Sequence, residues 1–151
     1  MTHLKVGDKA PEFIAINQDE KEVKLSDFKG KKLILYFYPK ASTPGCTTEA
    51  KNLRDHYELL KEKGYEVLGV SADSPKRQKN FKEKNNLPFD LIADEDKKVI
   101  NAYGVWGPKK FMGREYEGIH RNTFVIDENG IIEKIIDKVK TKEHAQQILE
   151  N

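Results

Sequence analysis

Lys32-Leu33-Ile34-Leu35-Tyr36-Phe37-Tyr38, running straight into Pro39-Lys40-Ala41-Ser42-Thr43-Pro44-Gly45-Cys46-Thr47-Thr48-Glu49, sets the architecture of this chain. Residues 32–38 show almost no alternation of polar and apolar side chains. They therefore read as a strand covered on both faces, the condition of a central strand in a parallel sheet. The Lys29-Gly30-Lys31 turn precedes it. Downstream, Ala50, Leu53, Tyr57 and Leu60 recur at helical spacing, while Lys51, Arg54, Asp55, Glu58 and Lys61 fill the opposite face. This predicts one amphipathic helix running to about Lys63 and ending at Gly64. Glu66 to Ser71 is a second buried run, expected to be central and parallel to the first.

Ser74 followed by Pro75 predicts a capped start for a second helix, which ends near Asn85-Asn86 ahead of Pro88. Phe89 to Ala93 reads as a short strand. Thr123 to Asp127, the Glu128-Asn129-Gly130 turn and Ile131 to Ile136 predict a hairpin, and Thr141 to Glu150 a last helix. Strand, helix, strand, helix, hairpin, helix is the element order of a thioredoxin-like α/β fold, a central mixed β-sheet flanked by helices. Lys5 to Leu25, with short apolar patches of its own, is expected to add an N-terminal hairpin or edge segment. The 151 residues contain no repeat or linker. At roughly 150 residues per domain they predict a single domain spanning 1–151.

Charge excludes several function classes. Lys and Arg total 27 against 25 Asp and Glu, a net +2, and the two signs are interspersed rather than segregated. Nucleic acid is therefore not an expected partner. The longest apolar run, Leu33 to Tyr38, is far too short for a membrane span, and Met1 to Lys9 lacks the apolar core of an export signal. No membrane association is expected, and the cytoplasm is the expected location. One cysteine, Cys46, excludes an internal disulfide framework and paired-thiolate zinc sites. His3, His56, His120 and His144 are too scattered to supply a metal site.

Cys46 lies where the buried strand gives way to a helix, the edge at which open α/β sheets carry ligands. With Thr43 as N-cap and Pro44 at the first helical position, Cys46 is the third helical residue. Unpaired amide donors and the helix dipole there favour a thiolate, the reactive form. A lone cysteine is more often an inert packed residue. A Pro-Gly pair beside a helix start, where Gly45 permits close approach, favours a catalytic or sensing thiol instead. A cysteine phosphatase needs arginine where Asn52 stands, and a disulfide exchanger needs a thiol where Glu49 stands. A Cys-His hydrolase using His56 or His120 has no supporting local signature.

Pro39, Thr43 and Cys46 fit the peroxiredoxin pattern of Pro, three residues, Thr, two residues, Cys. Thr43-Pro44-Gly45-Cys46-Thr47-Thr48-Glu49-Ala50, Trp106-Gly107, Lys109 to Gly113 and His120 to Asp127 resemble the bacterioferritin comigratory protein (PrxQ-like) subgroup in particular. The resemblance extends from Gly7-Asp8-Lys9-Ala10-Pro11-Glu12-Phe13 to the final helix. It implies a thiol peroxidase acting on hydrogen peroxide and alkyl hydroperoxides through a Cys46 sulfenic acid, with no metal, flavin or haem cofactor. It further implies that Thr43 donates to the peroxide, Arg121 holds thiolate and substrate, and Pro39 shields the pocket. On their own, Thr43 is a cap and Arg121 a surface charge. Glu49 matches the family as a residue that orients an arginine, although a helix dipole alone explains an acid there. Trp106, Phe111 and Tyr116 read as ordinary packing.

Many subgroup members carry a resolving cysteine five residues after the first; here that position is Lys51, expected to pair with Asp55 one turn later. Five helical residues rise at least about 7.5 Å, beyond the roughly 7 Å reach of a disulfide, so two-cysteine members must unwind this helix. Without a second thiol the sulfenic acid must meet an external one, of thioredoxin or glutathione type. Two rivals follow. One is a peroxide sensor or redox relay with little turnover, the other a redox-inert binding module. The resemblance suggests a monomer or weak dimer.

Overall fold

Successive side chains of Lys32–Phe37, strand β3, go to opposite faces of the sheet, and both faces are covered. Leu33, Leu35 and Phe37 enter one apolar cluster with Phe13, Val70, Tyr103, Phe124 and Ile126. Ile34, Tyr36 and the adjoining Tyr38 enter the other, with Leu53, Phe81, Leu91, Val125 and Ile148. Full burial of such side chains stabilises by about 1.5–3 kcal/mol each. This is why the segment reads as an unbroken apolar run. The computed structural model describes residues 2–150. Residues 1 and 151, which the span 1–151 takes in, lie outside the description.

After β3 come α1 (Pro44–Asp55), α2 (Tyr57–Glu62), β4 (Tyr65–Ser71), α3 (Pro75–Lys84) and β5 (Asp90–Ala93). Two later strands, Asn122–Ile126 and Ile132–Ile136, complete a five-stranded mixed sheet. β3 lies at its centre, parallel to β4 on one side and antiparallel to Asn122–Ile126 on the other. The thioredoxin-like order expected from sequence is the one observed. The N-terminal hairpin is also present, as β1 (Ile14–Ile16) and β2 (Glu22–Lys24). Its neighbourhood touches both sheet edges, Asn17 bridging Ile92 and Lys9 bridging Ile131. Among the described residues no helix is long and apolar enough to cross a membrane.

Four features depart from expectation. The helix predicted to reach Lys63 is broken at His56, because the Asn52 carbonyl is shared between the His56 amide at 3.3 Å and its Nδ1 at 2.8 Å. A short helix, α4 (Lys98–Ala102), was not legible. It is nucleated by the Asp94 carboxylate, which accepts from the amides of Val99 and Ile100 at 3.3 and 2.8 Å. A separate hairpin, β6 (Trp106–Phe111) with β7 (Arg114–Ile119), turns at Met112-Gly113, both with positive φ, 51° and 81°. β8 (Asn122–Ile126) and β9 (Ile132–Ile136) form the expected pair, but α5 starts only at His144 and ends at Leu149.

Candidate active site

The loop from β3 to α1 is pinned from the side of β4. The Asp73 carboxylate accepts from the Ala41 amide at 2.8 Å and from the Ser71 hydroxyl at 2.7 Å. Ser71 in turn accepts from Gln78 Nε2 at 2.9 Å, and Gln78 receives the Tyr38 hydroxyl. Ser42 then takes a left-handed backbone, φ 67°, which turns the chain into α1. Thr43 occupies the N-cap position and Pro44 the first helical one, as expected. The Thr43 side chain makes no cap bond; its hydroxyl donates back to the Lys40 carbonyl at 2.8 Å.

Cys46 is 1% exposed. Its sulfur accepts from Arg121 Nη2 at 3.4 Å, while Nη1 of the same guanidinium donates to Glu49 Oε1 at 2.6 Å. Arg121 reaches this point from the residue before β8, so two segments far apart in sequence close around the sulfur. It is therefore not the solvated charge its sequence context allowed, and Cys46 is not a thiol packed only among apolar groups. A β-carbon on Gly45 would stand 3.4 Å from Nη2, in direct contact with the guanidinium. The imidazoles of His56 and His120 are engaged elsewhere, by Asn52 O at 2.8 Å and Pro108 O at 2.9 Å, which removes the support for a Cys-His hydrolase.

Pro39 is half-buried and lines an open cleft with Lys40, Trp106, Lys109, Tyr116 and Ile119. Trp106 packs on the core and carries Lys97 Nζ 4.8 Å from its ring centre. Phe111 and Tyr116 do not pack as expected: at 67% and 48% exposure they stand on the projecting hairpin. Asp55 pairs with Arg54 at 3.0 Å rather than with Lys51, which is exposed.

Burial pushes the Glu49 carboxyl up from 4.5 to about 7, against the opposing pull of Arg121. Burial also pushes His144 down from 6.5 to about 4. A carboxyl whose folded value lies above its unfolded value stabilises the fold at low pH, and that contribution is lost as pH climbs between the two. Glu49→Gln removes the titration. Its stability relative to the wild type is expected to improve steadily as pH rises from about 4.5 to about 7. Urea unfolding at several pH values checks this, and a difference independent of pH refutes it.

The family model described as AhpC/TSA matches residues 6–135. The chain belongs to the AhpC/TSA family. Peroxiredoxin Bcp of Escherichia coli is 49% identical over 149 residues, covering 99% of this chain and 96% of that protein. Among solved structures, peroxiredoxin Q of Xanthomonas campestris superposes with a TM-score of 0.87 at 32% identity, covering 98% and 94% of the two chains. A further structure of the bacterioferritin comigratory protein from that organism, with a TM-score of 0.87 and 32% identity over 99% and 95%, concerns its alkyl peroxide reduction. This AhpC/TSA-family protein is thus a peroxiredoxin of the Bcp subgroup, a thiol-dependent peroxidase, and with one cysteine this sequence lacks a resolving cysteine.

Three residues of this peroxiredoxin site carried no sequence signal on their own: Asp73, Thr123 and His144. The signal that could have found His144 is its place in the last helix. It shares the apolar stripe of its helix with Ala145 and Ile148, and all three are buried.

Proposed function

We propose that Cys46 is the peroxidatic nucleophile of a one-cysteine cycle. Its thiolate attacks one peroxide oxygen: the sulfur–oxygen bond forms, the oxygen–oxygen bond breaks, and the departing oxide takes a proton to leave as water or an alcohol. The observation that carries this reading is the single guanidinium of Arg121, bonded at once to the Cys46 sulfur and to buried Glu49. Its cation stabilises the thiolate beforehand and the charge moving onto the leaving oxygen afterwards. Thr43 serves as a donor to the peroxide once its hydroxyl turns from Lys40 O, and Pro39 keeps water from the cleft beside it. Substrates are hydrogen peroxide and alkyl hydroperoxides. The resulting sulfenic acid is reduced by an external thiol of thioredoxin or glutathione type.

Stopped-flow mixing of the reduced protein with hydrogen peroxide, followed by mass analysis of Cys46, tests this. Fast addition of one oxygen atom, with sustained turnover when a thioredoxin or glutathione system is present, is expected. Fast oxidation that no thiol system reverses would favour the sensor reading, for which the exposed lysine at position 51 is the specific support. Slow oxidation would refute both.

A further inference from the structure

Behind Arg121 the site continues into the last helix. His144 is fully buried, and its Nδ1 lies 3.0 Å from Gln147 Oε1. That oxygen also accepts from the Lys140 amide at 2.9 Å, so it is an acceptor and Nδ1 carries a proton. Nε2 is then bare in the neutral ring. It faces two groups, the Thr123 hydroxyl at 2.7 Å and Glu49 Oε2 at 3.5 Å. Glu49 Oε2 is buried and has no hydrogen-bond partner among the described residues. A bare nitrogen and a bare carboxylate oxygen facing each other away from water repel. A proton between them removes the repulsion and satisfies the orphaned oxygen. The Thr123 hydroxyl suits either arrangement, donating to the bare nitrogen or accepting from the protonated one.

We propose that His144 is a positioning residue for the reaction at Cys46: it and Glu49 hold one proton between them, and that proton leaves the charge of Arg121 free for the sulfur and the peroxide. This rests on the peroxidase reading above. With the proton present the Glu49–His144 pair is neutral, and the guanidinium balances the thiolate. With it gone, a Glu49 carboxylate 2.6 Å from Nη1 competes with the sulfur for the same cation. The opposite effects of burial on the two groups agree with retention of one proton up to neutral pH. The other titratable groups facing the site are few. Cys46 comes from α1 and Arg121 from the residue before β8. Tyr36 comes from β3, where burial keeps its phenol protonated, and Lys109 from β6 faces Arg121 and Cys46.

The test uses the full chain as wild type, His144→Gln and Gln147→Glu. Peroxide rate constants are measured across pH, and each variant is expressed as a ratio to the wild type, which cancels titration common to both. A glutamine at 144 donates to Glu49 and favours its carboxylate. His144→Gln is therefore expected to be about tenfold slower below neutrality, with the gap closing at alkaline pH where the wild type has also lost the proton. A carboxylate at position 147 holds the imidazole proton more tightly. The Gln147→Glu ratio should therefore stay near one below neutrality and climb above one at alkaline pH, a gain where His144→Gln shows only a loss. A purely structural role gives ratios independent of pH, and flat ratios overturn the proposal; if His144→Gln does not fold, a flat Gln147→Glu ratio does so alone. Imidazole 15N shifts of the wild type supply a readout that needs no activity. A titrating Nε2 signal in a protein inert to peroxide would refute the peroxidase reading and leave the proton pair standing. A flat signal with a reactive Cys46 would do the reverse.

Discussion

Cys46→Ser is expected to lose all measurable reaction with hydrogen peroxide, a fall of at least about 10³-fold to the solution background, while keeping its fold. The exchange swaps sulfur for oxygen at a site that is 1% exposed, so the packing around α1 changes little. The chemistry changes completely. A serine hydroxyl stays protonated at any pH the fold tolerates, and even beside the Arg121 guanidinium it offers no soft, polarisable anion to the peroxide oxygen. Stopped-flow peroxide consumption reads the effect, and a thermal melt superposing on that of the wild type keeps it separate from unfolding. A serine variant that still removes peroxide catalytically would mean that another group does the chemistry.

Arg121→Ala is expected to have the second largest effect, slowing the peroxide reaction by roughly 10²–10³-fold, the usual consequence of deleting one preorganised charge donor. Both partners of the guanidinium suffer. The Cys46 sulfur loses its donor at 3.4 Å, and Glu49 loses the group that opposes the effect of its burial. Burial alone then holds the carboxyl protonated to higher pH than before, so the variant is expected to stay folded in mild acid and lose stability above neutrality. Arg121→Lys restores a positive charge but not the two-pronged geometry, and is expected to recover only part of the rate. An alanine variant as fast as the wild type would reduce the Arg121 contact to a structural one.

Legibility followed burial on two faces. β3 and β4 were plain in the sequence because neither has a solvent side to break the apolar run. The β8–β9 hairpin was plain because its turn contains Gly130, at φ 81°. β6 and β7 were missed because their hairpin packs little against the core: Pro108, Lys109 and Lys110 in one strand and Glu115 and Glu117 in the other present no apolar face. α4 was missed because five residues span little more than one turn, and its nucleating group, Asp94, precedes it by several residues. In the site, Cys46 announced itself through Pro44-Gly45 and the strand-to-helix junction. Arg121 was found only through family resemblance, because a charged residue ahead of a strand carries no signal of what it will meet 75 residues away. His144 was noticed only as too isolated to bind metal, since its partners come from three separate stretches of the chain.

Asn52 of α1 bonds to α5 and to the segment leading into it with the two ends of its amide: its oxygen accepts from the Ala145 amide at 2.7 Å and its nitrogen donates to Lys142 O at 2.9 Å, across 93 and 90 residues of sequence. Closing contacts of such span costs more chain entropy than closing local ones. Arg121 meets Cys46 across a separation nearly as long. On the peroxidase reading, a chain that has formed β3 and α1 but has not yet paired β8 with β3 carries the cysteine without its guanidinium, and so without the charge the proposed reaction uses.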